Sequence, residues 1–180
     1  MNNSKGFTLV ELAIVLVIIG VILGGVVKGT ELVKSAKTKK LYREYQNIQT
    51  AYMTYFDRTG KIAGDADSNG KIDTGTSTFW GDLRNENLYS GNGETAPNNV
   101  FGGATTGTSA ISTAKIMDFS DNNLVCFSAI MSDVIESIDT QFDDGVGTTG
   151  DIRYAATATT TAAAAYPDAA TSGAMCIVLE

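Results

Sequence analysis

One carboxylate, Glu11, lies inside an apolar stretch near the N-terminus and is the first candidate for a chemical role. Residues 7–27 are apolar apart from Thr8 and Glu11. As a helix this stretch would be about 31 Å long, which is enough to cross the hydrocarbon core of a bilayer. A carboxylate costs roughly 2.5–3.5 kcal/mol at the bilayer centre, and less near an end. We therefore expect Glu11 to have a partner that offsets this cost.

A second candidate is an oxygen-rich run, residues 65–73, with the sequence DADSNGKID. Five groups at alternating positions can ligate a hard cation: Asp65, Asp67, Asn69, the main-chain carbonyl of Lys71, and Asp73. Gly70 permits a sharp turn, and the pattern matches the first nine places of an EF-hand calcium loop. The twelfth place holds Thr76 instead of a bidentate Glu, so any remaining ligand must come from elsewhere. The run predicts a calcium site, with a metal-free acidic turn as the alternative.

The charge distribution and the lack of histidine argue against several classes of function. The net charge is −7, but residues 1–60 carry eight Lys/Arg and four Asp/Glu, whereas residues 61–180 carry five and sixteen. The net charge is therefore +4 for residues 1–60 and −11 for residues 61–180. An acidic C-terminal part repels phosphate backbones, so no nucleic-acid partner is expected. Without histidine the chain lacks the usual general base, and a membrane-tethered enzyme is disfavoured.

The N-terminal residues also carry a family resemblance. Gly6-Phe7-Thr8-Leu9-Val10-Glu11-Leu12 resembles the prepilin processing motif of type IV pilins and type II secretion pseudopilins. The resemblance implies that a prepilin peptidase cuts after Gly6 and methylates the new amino terminus, Phe7. It also implies that Glu11 pairs with the amino terminus of a neighbouring subunit during assembly. The alternative is an ordinary signal peptide or anchor helix. It fits poorly, because the leader is too short and the apolar region too long and acid-bearing for a secretory signal.

The same resemblance implies an α+β architecture of four parts. Residues 1–6 would be the leader, residues 7–28 the membrane-spanning and filament-core half of a long helix, and residues 29–59 its amphipathic half. Residues 60–180 would form a globular head with a small antiparallel sheet. The Gly24-Gly25 pair is a candidate soft point in the helix.

The function implied is that of a structural, non-enzymatic subunit of a type IV pilus-like filament. Its partners would be copies of itself in a helical filament, the prepilin peptidase and an inner-membrane assembly platform, with residues 7–27 in the membrane. The protein would reside in a bacterial inner membrane before assembly and in an extracellular or periplasmic filament afterwards. No cofactor is required, and calcium is the candidate ion. A secretion pseudopilin and a minor or adhesive pilin are the alternatives.

Hydrophobic periodicity and turn residues predict the remaining elements. The long helix should continue to about Arg58, with one apolar face at Leu41, Tyr45, Ile48, Tyr52 and Tyr55. A short helix is predicted over residues 79–89, with Trp80, Leu83 and Leu88 in the core, and a second from Ser132 or Asp133, as cap, to Phe142. Strands are predicted at Thr113–Phe119, Leu124–Ile130 and Gly173–Leu179, and loops at residues 90–112 and Ala155–Ala170.

Two further groups remain, the cysteines and a second acidic group. Cys126 and Cys176 are an even pair in a domain that the resemblance places outside the cytoplasm. A disulfide is therefore expected, with two reduced core cysteines as the alternative. Three carboxylates form the acidic group: Asp143, Asp144 and Asp151. A helix cap in which Arg153 neutralises a carboxylate is the favoured interpretation of this group, and a second cation site is the alternative.

Overall fold

The computed structural model describes residues 8–73, 78–110, 117–156, 162–167 and 171–179. Within this part the chain forms three helices and four strands, in the following order: α1 (Leu9–Thr59), α2 (Thr78–Asn85), β1 (Thr105–Ala110), β2 (Asn122–Met131), α3 (Ser132–Phe142), β3 (Ile152–Ala155) and β4 (Ser172–Val178). The strands form an antiparallel sheet of order β1-β2-β4-β3. The predicted α+β class, a long helix with a small antiparallel sheet, is confirmed.

Helix α1 runs without a break from Leu9 to Thr59. It passes through Gly24 and Gly25 as regular helix. The helix ends where the sequence predicts: Arg58 lies in the last turn, and Gly60, at φ 68°, donates its N–H to the Phe56 carbonyl. A glycine in the left-handed region is the usual C-terminal stop of a helix.

Two compact units divide the chain, Met1–Lys37 and Thr38–Glu180. In the second unit, four of the five residues of the predicted apolar face of α1 are buried in the core, namely Leu41, Tyr45, Ile48 and Tyr52. Tyr55 is half-buried against the core, and Ala51, which was not predicted, is also buried. The Tyr45 hydroxyl donates to the Val178 carbonyl at 2.8 Å, which ties α1 to the last strand. The apolar periodicity of this half of α1 therefore correctly indicated the core.

Both faces of the sheet are buried. One face, with Val125, Phe127 and Met175, joins the α-helices in the main core. The other, with Leu124, Cys126 and Cys176, packs in a smaller cluster with Met117 and Phe119. Because apolar residues are needed on both faces, β2 and β4 read as continuous apolar runs instead of alternating patterns.

The first predicted strand, Thr113–Phe119, is wrong where it can be compared. Residues 113–116 lie outside the described residues, and Met117 and Asp118 form a turn with φ values of 47° and 60°. Strand β1 lies instead at Thr105–Ala110, inside the predicted loop. It is held there by burial of Thr105, whose carbonyl accepts a hydrogen bond from the Trp80 indole N–H at 3.1 Å. A run of Thr, Gly and Ser carries no apolar pattern, so only its tertiary contacts identify it as a strand.

Helix α2 is shorter than predicted, ending at Asn85, with Trp80 and Leu83 buried as expected. Helix α3 has its predicted bounds, but its N-cap is Met131, which makes no side-chain cap hydrogen bond. The Ser132 hydroxyl instead accepts the Thr171 N–H at 3.1 Å. Strand β3 was not predicted, and Ala155, assigned to a surface loop, is a buried residue of that strand.

Candidate functional site

The beginning of α1 holds Glu11 in a capping box. The Glu11 carboxylate accepts the Thr8 backbone N–H at 2.8 Å and the Thr8 hydroxyl at 2.9 Å, and the Thr8 hydroxyl accepts the Glu11 N–H at 3.3 Å. This Thr-x-x-Glu arrangement satisfies backbone donors that no helical turn can satisfy. Gly6 and Phe7, the predicted processing residues, lie outside the described residues. Sequence reasoning missed the cap, although the signature Thr8-x-x-Glu11 before an apolar run was available.

The first turns of α1 present an unpartnered apolar surface. Among the described residues, α1 is the one helix that is long and apolar enough to cross a membrane by length and composition. Its most apolar window has a mean hydropathy of 2.9, and none of that window is buried in the chain. No neighbour lies within 4 Å of a Cβ built on Gly20, Gly24 or Gly25, so the close-packing face of these glycines is open. This surface needs lipid or other helices to cover it.

Residues 65–73, which we call the acidic loop, bring together three of the five predicted ligand residues. Asp65, Asp67 and Asp73 each present a carboxylate oxygen, and these oxygens lie within 4.8 Å of one another. Gly70 adopts the left-handed conformation, at φ 84°, that the predicted sharp turn needs. The Asn69 side chain turns inward on the loop itself, donating to Asp67 at 2.8 Å and accepting the Lys71 N–H at 2.8 Å. Thr76 lies outside the described residues.

Backbone N–H groups already hold Asp65 in place. Asn69 and Gly70 donate to its two carboxylate oxygens at 3.0 and 2.7 Å. Slight burial raises the pKa of Asp65, but these hydrogen bonds outweigh it and leave the pKa below its usual range. The carboxylate is therefore ionised at neutral pH. Three converging carboxylates are a donor set that can hold a hard cation.

The acidic loop is fixed to the sheet next to it. The Asn123 side chain at the start of β2 accepts the Ile72 N–H at 2.9 Å and donates to the Gly70 carbonyl and the Tyr52 hydroxyl. The Lys71 ammonium donates to the Asp121 carbonyl. Asn123, which directly precedes the predicted strand Leu124–Ile130, is therefore the residue that joins the loop to the sheet.

The predicted disulfide is present. Cys126 on β2 and Cys176 on β4 lie directly opposite each other, with Cα atoms 4.1 Å apart, and their sulfurs are bonded. The bond lies on the face of the sheet covered by Met117 and Phe119, and Cys126 and Cys176 are 5% and 0% exposed. The alternative of two reduced core cysteines is therefore wrong.

A second carboxylate cluster lies at the end of α3. Carboxylate oxygens of Asp139, Asp143 and Asp144 also lie within 4.8 Å of one another. Asp139 is fully buried and accepts the Tyr166 hydroxyl at 2.7 Å and the Gly145 N–H at 3.1 Å. Burial is the main cause that raises the pKa of Asp139 despite these hydrogen bonds, and repulsion from the carboxylates of Asp143 and Asp144 adds to it. Burial and the bond to Asp139 likewise raise the pKa of Tyr166. Both residues were missed, because Asp139 faces the core from an otherwise ordinary helix sequence.

Arg153 forms no ion pair within 4 Å with Asp143, Asp144 or Asp151, although its charge contributes to the lowered pKa of Asp144. Asp143 instead accepts the backbone N–H groups of Asp151 and Ile152 at 2.6 and 2.8 Å. Arg153 donates to the carbonyls of Gly150 and Met117, and its guanidinium lies 4.0 Å from the centre of the Phe119 ring. It therefore acts as a positioning residue for the segment that covers the disulfide face.

Three comparisons with known proteins complete the description. The family model for the prokaryotic N-terminal methylation motif matches residues 1–27. No curated protein sequence matches the chain. The structure of the major type IV pilin PilA1 from Clostridium difficile is similar at 12% sequence identity, with a TM-score of 0.48, over 82% of this chain and 96% of that chain. The match confirms that residues 1–27 carry a prokaryotic N-terminal methylation motif, which includes the motif recognised at Gly6–Leu12.

Proposed function

We propose that this chain is a structural subunit of a type IV pilus-like filament. In this proposal a prepilin peptidase removes residues 1–6, methylates the amino group of Phe7, and releases a subunit that waits in the inner membrane for assembly. The observation that carries the proposal is the methylation motif over residues 1–27. Motifs of this kind are processing signals, and a structural subunit needs no catalytic residues.

The exposed surface of α1 supports the same proposal. Residues of the first four turns remain uncovered, with Leu9 87% and Val21 72% exposed. In the membrane lipid covers such a surface, and in a filament the helices of neighbouring subunits replace the lipid. Lipid tails are as apolar as the side chains, so close packing at small residues and polar contacts must favour the helix bundle. Gly20 and Gly24 are small residues at which helices can pack closely, and Glu11 can make the polar contact.

Glu11 is the proposed assembly residue. It follows Phe7 by four positions, which is about one helical turn, so its carboxylate can reach a new amino group in the same chain or in a neighbour. An unpaired carboxylate is costly in a low-dielectric helix bundle, whereas one paired with an ammonium recovers much of its lost hydration. An incoming subunit is thus drawn to the register in which its amine meets Glu11 at the growing end.

The acidic loop gives the head a proposed accessory site. Asp65, Asp67 and Asp73 would bind calcium, with the carbonyl of Lys71 and a group from elsewhere completing the oxygen ligands. Their convergence within 4.8 Å supports this proposal. Calcium at this site would stabilise the junction between the loop and β2, where the Asn123 side chain bonds to the Ile72 N–H and the Gly70 carbonyl.

Processing is the test of the proposed function. Filaments sheared from cells, or recovered from the periplasm, should contain this chain with a mature N-terminus at methylated Phe7, as measured by intact mass. Gly6→Val should leave full-length precursor in the membrane, since the peptidase cuts after a glycine. Asn3→Ala, also in the leader, is the matched control and should be processed normally. Filaments built from chains that retain residues 1–6 would contradict the proposal.

The same preparation separates the proposed pilus subunit from its alternatives. Fibres confined to the periplasm of secreting cells would identify a secretion pseudopilin. A few copies per filament, beside a different major band, would identify a minor or adhesive subunit. No feature of the described residues favours either alternative over a major subunit.

A further inference from the structure

Two Asn-Gly steps occur in the sequence, Asn69-Gly70 in the acidic loop and Asn92-Gly93 in the segment after α2. A step of this kind can modify itself, because the backbone nitrogen of the glycine can attack the side-chain carbonyl of the asparagine. Glycine favours this attack, since it has no Cβ to shield the nitrogen and has the widest backbone freedom. The two steps share the same local chemistry, so a difference between them in the folded chain must come from their surroundings.

The surroundings of Asn69-Gly70 oppose this reaction. The Asn69 side chain donates to Asp67 at 2.8 Å and accepts the Lys71 N–H at 2.8 Å, so its carbonyl carbon is held in place. The Gly70 N–H, which would have to lose its proton, donates to the Asp65 carboxylate at 2.7 Å. A negative charge that develops on this nitrogen would face a carboxylate, and like charges at this distance repel.

The surroundings of Asn92-Gly93 leave the reacting groups open. Asn92 and Gly93 are both exposed, and no neighbouring atom lies within 4 Å of a Cβ built on Gly93. In the part of the chain that the structure describes, neither the Asn92 side chain nor the Gly93 N–H has a hydrogen-bond partner. The Asn92 side chain is therefore able to turn toward the Gly93 nitrogen.

Arg84 places a positive charge on the reacting peptide group. Its Nη1 donates to the Asn92 carbonyl at 3.3 Å, and this carbonyl belongs to the same peptide unit as the Gly93 N–H. The guanidinium is fixed there by the Trp80 ring, whose centre lies 5.8 Å away, and by three more carbonyls, those of Ser90, Gly93 and Thr95. When the Gly93 nitrogen loses its proton, the negative charge is shared with the Asn92 carbonyl oxygen. A positively charged donor at this oxygen stabilises that anion.

We propose that Asn92 is a self-modification site, at which the head converts an amide to a carboxylate with the help of Arg84. The Gly93 nitrogen gives its proton to solvent and bonds to the Cγ of Asn92. The bond from Cγ to the side-chain nitrogen then breaks, and ammonia leaves. Water opens the resulting succinimide ring to give aspartate or isoaspartate at position 92, without an oxidant or reductant. The exposed segment gains one negative charge, and the modified fraction increases with the age of the chain.

The test is incubation of the full-length chain in detergent at mildly alkaline pH, followed by peptide mapping with tandem mass spectrometry. Aspartate and isoaspartate should accumulate at position 92 about tenfold or more faster than at position 69, because one partly exposed charge supports the first reaction and another opposes the second. In denaturant the two steps should react at similar rates, since their surroundings are then lost. This comparison uses the unsubstituted chain and needs no variant to fold.

Substitution of Arg84 measures its part in the reaction. Arg84→Gln should slow the modification of Asn92 by about fivefold, and Arg84→Lys, which keeps the charge, should retain part of the rate. Arg58→Gln is the matched control, because it removes the same charge at the end of α1, and should leave the rate unchanged. Near-ultraviolet circular dichroism shows that each variant has folded. Equal rates at Asn69 and Asn92 in the folded chain, or a folded Arg84→Gln variant that reacts as fast as the wild type, would overturn the proposal.

Discussion

Removing the disulfide should destabilise the head by an amount that its loop length sets. Cys126 and Cys176 are 50 positions apart, so their bond closes a loop of about 51 residues. The chain-entropy model gives a loss of about 14 cal/mol/K from the unfolded chain, or about 4 kcal/mol at 25 °C. The unit Thr38–Glu180 has an unfolding entropy of about 300 cal/mol/K at about 2.1 cal/mol/K per residue. The expected fall in melting temperature is therefore about 13 °C.

The assay is thermal unfolding of the full-length chain in detergent, followed by near-ultraviolet circular dichroism. The variant is Cys126→Ala with Cys176→Ala, which leaves no thiol and little change in volume. A reducing agent should lower the melting temperature of the wild type toward that of the variant and leave the variant unchanged. A loss below about 1 kcal/mol, or about 3 °C, would refute the loop-entropy reasoning. It would mean that the pairing of β2 with β4 alone accounts for the stability at this position.

Three other predictions concern the head and are measured in the same way. Calcium at a hundredfold excess over its dissociation constant should raise the free energy of unfolding by about 2.7 kcal/mol and the melting temperature by several degrees. Asp67→Ala should abolish this shift, and Asp121→Ala, outside the carboxylate cluster, should retain it. Burial raises the pKa of Asp139 in the folded state, so the unfolded state loses its proton first and stability falls as the pH rises between the two pKa values. Asp139→Asn should remove that fall. Asp144→Asn should instead remove a loss of stability at low pH, because the Thr149 hydroxyl and the Val146 N–H lower the pKa of Asp144, and its contribution to stability is lost as the pH falls. If the two Asn variants follow the same pH profile, the assignment of these shifts is wrong. Gly107→Ala should lower the free energy of unfolding by about 1–3 kcal/mol, because a Cβ there would lie against the buried Phe79 ring. An unchanged melting temperature would show that the ring can move aside.

Sequence periodicity predicted those parts of the fold in which burial leaves a regular pattern. The half of α1 that carries Leu41, Tyr45 and Ile48 repeats at helical spacing, and its end at Arg58 and Gly60 follows from local backbone preferences. Strands β2 and β4 each contain a continuous apolar run, and both were located. In each case the signal depends on neighbours in sequence, which a single sequence contains.

The errors occur where distant residues decide the structure. Strand β1 is a run of Thr, Gly and Ser that becomes a strand because β2 pairs with it and Trp80 hydrogen-bonds to it. Asp139 has the sequence context of an exposed helical acid, and it is buried because Tyr166, 27 positions later, packs on it. Arg153 lies near three carboxylates in sequence but donates to backbone carbonyls. Sequence spacing alone cannot supply these contacts.

Among the predicted sites, too, those set by nearby residues were found from the sequence, and contacts between distant residues were not. The cysteine pairing follows from there being only two cysteines, and the acidic loop from its alternating acids. The contact of Asn123 with that loop required the structure, because Asn123 and Ile72 are 51 positions apart. The capping box at Glu11 is local and gives this residue a second role, which the design of its variants must separate from assembly.

Substitution of Glu11 tests the central claim most directly. Glu11→Gln removes the charge and keeps a capping-box residue, whereas Glu11→Val removes both, and Thr8→Ala removes the cap partner and keeps the charge. Filament yield of each variant is measured by quantifying sheared filaments against the amount of cleaved subunit in the membrane. The account predicts that Gln and Val variants are inserted and cleaved normally but fail to form filaments, and that Thr8→Ala assembles. Assembly of Glu11→Val at wild-type yield would contradict the account, because the carboxylate would then have no part in joining subunits.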